Sequence, residues 1–140
     1  MTIYTPLTRP TVLLRLEAVL ALALAAGLYG THGGSWALFA LLFLAPDLSA
    51  LGYLAGPAAG ASCYNAAHTY LLPAALWAFG LAAGHTSLPL LALIWAAHIG
   101  LDRLLGYGLK YPDGFMRTHL DGLGMADSEA MPGRRKRGAA

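Results

Sequence analysis

Apolar residues dominate four stretches of the chain, each about as long as a bilayer is thick. They cover about 11–30, 35–55, 60–83 and 88–110. Gly-rich or polar breaks separate them at Thr31-His32-Gly33-Gly34, Gly56-Pro57 and Gly84-His85-Thr86-Ser87. A helix rises about 1.5 Å per residue, so about 20 apolar residues cross a hydrocarbon core about 30 Å thick. Within lipid the backbone must satisfy its own hydrogen bonds, which helices do and open strands do not. The stretches also lack the alternation of barrel strands. The pattern predicts an all-α fold: a polytopic four-helix membrane bundle with short loops. Short connections make neighbouring helices antiparallel, and the abundant Ala and Gly let their backbones approach closely. Pro46 and Pro73 should kink the second and third helices. Residues 1–120 are expected to form one four-span domain, and 121–140 a polar, basic, disordered cytoplasmic tail.

Composition sharpens this. Of the 140 residues 57% are hydrophobic and 11% charged, where soluble domains carry about 25% charged residues. Between Ala18 and Leu101 the only Asp, Glu, Lys or Arg is Asp47. A soluble fold with so long an uncharged stretch would not stay in solution; the lipid bilayer is the expected partner. The start of the chain has some likeness to a cleaved signal peptide. Arg15 and Glu17 interrupt its apolar run, however, and three more apolar segments follow, so it is read as a retained first helix. The lone Cys63 excludes an intramolecular disulfide and a cysteine metal cluster, and a buried small thiol is expected.

Lys and Arg set the orientation. Arg9 and Arg15 lie at one end, Lys110, Arg117 and Arg134 to Arg137 at the other, and the two outer loops carry neither. The positive-inside rule then places both termini in the cytoplasm and the chain in the inner membrane. The basic cluster Arg134-Arg135-Lys136-Arg137 is expected to contact anionic lipid. No nucleic-acid partner is expected, because no aromatic-rich or folded basic domain accompanies that cluster.

The candidate chemistry lies in polar residues inside apolar segments: Arg15, Glu17, Asp47, Asn65, His68, His98, Asp102 and Arg103. Such groups are costly facing lipid and turn inward or pair. Counting rise from the helix ends places Asp47, His68 and Asp102 each roughly 12 Å deep, with His98 about a turn deeper. All fall in the cytoplasmic half. His98 and Asp102 are i and i+4, and Asn65, His68 and Thr69 are i, i+3 and i+4, so each set shares a helix face. Two imidazoles and two carboxylates, Asp47, His68, His98 and Asp102, suit a divalent cation such as zinc or manganese. Arg15, Glu17, Asn65, Thr69, Arg103 and Lys110 are candidates to support the site or bind an anionic substrate. Two other readings of the same residues stand beside this one: a buried salt-bridge and hydrogen-bond network, and a proton or small-molecule site.

Four segments carry a resemblance. Leu44-Ala45-Pro46-Asp47-Leu48-Ser49, Tyr64-Asn65-Ala66-Ala67-His68-Thr69-Tyr70, His98-Ile99-Gly100-Leu101-Asp102-Arg103 and Gly106-Tyr107-Gly108-Leu109-Lys110-Tyr111-Pro112 occur in this order. Together they resemble a bacterial family of small integral membrane proteins of unknown function, over about residues 12–120. A looser similarity is to membrane-bound metal-dependent hydrolases of the bacterial DNA-damage response. Those show Pro-Asp, then His-Ser/Thr, then His-x-x-x-Asp, matched here by Asp47, by His68-Thr69 and by His98 with Asp102. They usually carry a second Asp where this chain has Ser49, and an extra Arg and His absent here. The resemblance implies a metal-dependent membrane hydrolase acting on a lipid or amphiphile. The alternative is a non-enzymatic membrane protein, an assembly partner or a small carrier, which with four spans would need a homo-oligomer.

Overall fold

The computed structural model describes residues 9–112, 114–118 and 120. Helix α1 spans Pro10–Thr31, with its proline in the first turn, where a missing N–H leaves no bond unmade. Ser35 opens α2, Trp36–Leu42, by accepting a hydrogen bond at Oγ from Leu38 N. The winding then changes. Pro46 has no N–H to offer the carbonyl of Leu42, and Asp47 N bonds instead to Leu44 O at 3.1 Å. From there Ala45–Ala55 form a 3-10 helix of 11 residues. Runs beyond three or four residues are uncommon in this conformation and often mark functional or strained positions.

The third apolar stretch is two helices, α3 at Pro57–Ala67 and α4 at Leu71–Ala82. Its expected kink is a break at His68–Tyr70, because Pro73 cannot donate to the carbonyl of Thr69. Thr69 is therefore not one turn above Asn65 on a continuous helix. Helix α5, Ser87–Leu105, stops short of the expected Lys110. Gly106 takes φ 94°, a left-handed conformation that a side chain disfavours. Gly106 N bonds to Arg103 O at 3.1 Å and Tyr107 N to Asp102 O at 2.8 Å, which closes the helix in a Schellman motif. An antiparallel hairpin follows, β1 at Lys110–Tyr111 and β2 at Gly114–Thr118. The fold is all-α apart from this hairpin.

Among the described residues three helices are long and apolar enough to cross a membrane: Pro10–Thr31, Trp36–Ala55 and Ser87–Leu105. Leu71–Ala82 is a shorter apolar helix. Their outer faces carry exposed Leu20, Leu24, Leu41, Leu51, Leu54, Leu71 and Phe79. So broad an apolar surface belongs in lipid, and the chain is a membrane protein.

Helix α5 is the centre of the molecule and holds the longest run of buried residues, including Leu93, Ile94, Ala97, His98 and Ile99. It packs on α1 and on α4, while α3 packs on the 3-10 helix. Small residues set these distances. A Cβ at Gly100 would lie 3.0 Å from Leu22 N on α1, and one at Gly60 would fall on the Tyr53 ring of the 3-10 helix. Tyr29, Trp36, Phe39 and Phe43 form an aromatic column whose last ring meets His98 edge-on at 5.5 Å. Cys63 on α3 is exposed rather than buried, with its thiol beside Gly52 of the 3-10 helix. The tail expectations for 121–140, including Arg134 to Arg137, lie outside the described residues.

Candidate metal centre

Three elements bring the site together. Asp47 sits in the first turn of the 3-10 helix, and His68 caps α3 at the break before α4. His98 and Asp102 lie one turn apart on α5. One ligand atom from each of the four lies within 4.8 Å of every other. His68 Nε2 is 3.4 Å from Asp47 Oδ1, 3.4 Å from Asp102 Oδ2 and 3.2 Å from His98 Nε2. His98 Nε2 is 3.5 Å from Asp47 Oδ1 and 3.8 Å from Asp102 Oδ2.

These separations carry chemical information. In a regular tetrahedron the edge is 1.63 times the centre-to-corner length. Zinc–nitrogen and zinc–oxygen bonds of about 2.0 to 2.2 Å thus need donors about 3.3 to 3.6 Å apart. The five distances, 3.2 to 3.8 Å, bracket that range.

Proton accounting points the same way. His68 Nδ1 lies 2.9 Å from Tyr64 O, a carbonyl that can only accept, so the ring's proton is at Nδ1. The neutral imidazole then presents a lone pair at Nε2. Asp47 Oδ1 and Asp102 Oδ2 are acceptors as well. His98 Nε2 can donate to one of the three at most, and its buried Nδ1 has no hydrogen-bond partner among the described residues. Packed acceptors require a cation or added protons to balance them.

The surroundings orient the ligands. The Tyr64 ring stacks on His68 with centroids 3.7 Å apart, and its hydroxyl donates to Asp102 Oδ2 at 3.2 Å. Lys110, itself buried, holds Nζ 4.7 Å from the Tyr64 ring centroid. Trp95 Nε1 donates to Ala67 O at 2.7 Å and Arg103 Nη2 to His68 O at 3.3 Å. These bonds satisfy carbonyls that the helix break sets free. Hydrogen-bonding neighbours of this kind commonly fix tautomer and basicity at metal sites.

The other sequence candidates are distributed. Asn65 turns to the hairpin, donating to Lys110 O at 2.8 Å and accepting from Lys110 N at 2.7 Å. Thr69 lies half-buried in the break beside His68. Arg15 is exposed on α1 and its guanidinium approaches Gly106. Glu17 joins Tyr70 and Arg103 around a separate cavity of about 120 Å³. Tyr64 and Trp95 were missed by sequence reasoning, because an aromatic residue in an apolar helix looks like packing. For Tyr64 the available signal was its place one turn before His68.

Both histidines are buried, and the Asp102 side chain is 15% exposed. Asp47 is the open member, with 49% of its side chain exposed. The site is thus accessible from the side of the 3-10 helix. No curated protein and no solved structure matches this chain. A family model described as a domain of unknown function, DUF4260, matches residues 11–123, and the chain belongs to that family.

Proposed function

We propose that Asp47, His68, His98 and Asp102 bind one zinc ion and that the protein is a metal-dependent membrane hydrolase acting on a lipid or amphiphile. The observation that carries this is the convergence of two imidazole nitrogens and two carboxylate oxygens, with the five histidine-to-ligand separations at 3.2 to 3.8 Å and all four atoms within 4.8 Å of one another. Manganese, which favours octahedral oxygen ligands, fits that spacing less well. An ion there supplies Lewis acidity and an activated water. Catalysis needs a position that water or substrate can take. Asp47 would be the ligand to yield it, being exposed and carried on the unusual 3-10 helix. His68 is tied to Tyr64 O, Asp102 to the Tyr64 hydroxyl, and His98 is buried against Phe43, so these three would remain as ligands. Arg103 and Lys110, close behind His68 and Tyr64, favour an anionic headgroup. Asn65 holds the hairpin and Thr69 lies in the break beside His68, while Arg15 and Glu17 add charge at the α1 side of the bundle.

In this reading residues 1–120 form the four-span domain, with α3 and α4 together as a broken third crossing. Lys and Arg place both termini in the cytoplasm and the chain in the inner membrane. The last residues, with Arg134 to Arg137, contact anionic lipid.

Elemental analysis of purified protein tests the ion: about one equivalent of zinc is expected, lost in Asp102→Ala. A metal-free preparation that takes up no zinc on titration would overturn the proposal. Turnover is tested with zinc-loaded protein in nanodiscs of bacterial lipid extract, following products by mass spectrometry. A second reading is favoured by the count of protein ligands, since four close a structural zinc site. Zinc bound at full stoichiometry with no lipid product would establish that non-enzymatic reading.

A further inference from the structure

Beside the metal centre runs an apolar groove of about 420 Å³. Leu42, Leu76, Leu91, Ile94 and Trp95 form its walls. It abuts the site at three places. Pro46 and Ser49 flank Asp47 along the 3-10 helix, Ala67 precedes His68, and Ile94 lies one turn from His98. On α5 the groove and the site are one stripe: Leu91, Ile94 and Trp95, His98 and Asp102 follow each other at helical spacing. The groove therefore runs along the axis of a membrane-crossing helix, and its polar end is the cluster of ligands.

We propose that this groove holds the acyl chain of a lipid drawn sideways from the bilayer, with the lipid's oxyanion head on the metal centre. The inference rests on the zinc reading above and adds the ligand and its route. Three observations support it. First, the walls are apolar, and the volume falls in the range of about 300 to 1,000 Å³ found for small-ligand sites. Second, charge is complementary at the end where a head would lie. Lys110 over Tyr64 and Arg103 on the His68 carbonyl favour an anion, as would the zinc proposed above. Third, Ser49 Oγ is buried in the groove wall two residues from Asp47 and has no hydrogen-bond partner among the described residues. A buried hydroxyl needs a partner, and rotation of the Ser49 side chain toward the groove would offer it the ester oxygen of an occupant.

A chain already in lipid gains no hydrophobic free energy by entering an apolar groove. The groove's effect is alignment: it selects one chain direction and brings the head to Asp47, the ligand exposed on that side. A phosphate free in water would gain nothing from the groove. The bilayer is thus the source that fits the geometry.

Photolabelling tests this. Zinc-loaded protein is placed in phosphatidylcholine nanodiscs with a long-chain alkylphosphonate bearing a diazirine near the tail end. An alcohol of the same tail serves as comparison. Labelled residues are mapped by mass spectrometry and zinc is counted in the same samples. The phosphonate should label Leu76, Leu91 and Trp95 well above lipid-facing leucines such as Leu20 and Leu54, and the alcohol should not. Leu76→Trp, which fills the groove from a helix carrying no ligand, should cut groove labelling roughly tenfold or more and keep the zinc. Phe79→Trp, on the exposed face of the same helix, should change neither. Even labelling of all lipid-facing residues, or equal labelling by phosphonate and alcohol, with zinc bound, would overturn the groove alone. Undiminished labelling in Leu76→Trp would do the same. Absence of zinc would overturn the metal reading and this inference with it.

Discussion

Tyr64→Phe separates a ligand's neighbour from the ligand itself. The substitution keeps the ring that stacks on His68 at 3.7 Å and removes only the hydroxyl that donates to Asp102 Oδ2 at 3.2 Å. That oxygen is the one facing both histidines, so the hydroxyl occupies one lone pair and leaves the other for the ion. A hydrogen bond to a charged group contributes about 1.5 to 3 kcal/mol. At 3.2 Å this one is longer than the usual O–H···O range, so about 1.5 kcal/mol is appropriate. The carboxylate is assisted with and without the ion, and part of the effect cancels. The expected loss in zinc affinity is about tenfold, the lower end of the 10- to 100-fold range for neighbours of metal ligands. Competition against a chromogenic chelator in detergent measures it. Tyr29→Phe is the control: its hydroxyl bonds to Ser35 O at 2.7 Å between α1 and α2, away from the ligands. It should lower melting temperature and leave zinc affinity unchanged. A change below about threefold in Tyr64→Phe, with stoichiometry intact, would refute the argument that Tyr64 tunes Asp102.

Three further outcomes are expected. Gly60→Val should push the 3-10 helix off α3 through Tyr53, costing about 1 to 3 kcal/mol of stability. It should weaken zinc more than it lowers metal-free melting, because Asp47 rides on that helix; equal losses would count against Asp47 as a ligand. Asn65→Ala removes both bonds to the Lys110 backbone, and amide exchange at Lys110 should rise while zinc stoichiometry stays the same. Unchanged exchange would mean the hairpin is held by other contacts. Reporter fusions at Gly33, Pro57, Gly84 and the C-terminus should read outside, inside, outside and inside, and a periplasmic C-terminus would reverse the orientation.

Much of the candidate site was legible in the sequence. A carboxylate at position 47 in an otherwise uncharged span stands out because burying charge is expensive, and that argument needs no neighbours. His98 and Asp102 declared their shared face through spacing alone. The chain's spans were legible for a similar reason, since hydropathy is a property of consecutive residues. Pro73 announced a disturbance near His68, though not its form.

What the tertiary structure decided were relations between distant residues and departures from regular winding. The break at His68–Tyr70 turns His68 from a helix-interior residue into a cap, and it separates Thr69 from the face of Asn65. Tight winding over Ala45–Ala55 begins at Pro46, but the close approach of α3 to that helix, Gly60 against Tyr53, is a relation between segments that no local pattern encodes. The end of α5 at Leu105 freed Lys110 to form a hairpin and lie over Tyr64. Tyr64 itself reads as packing until Asp102, 38 positions later, is placed beside its hydroxyl. Periodicity reports which side of its own helix a residue occupies. Which side chains then meet depends on helix rotation and approach, and these are set by many weak packing contacts acting together.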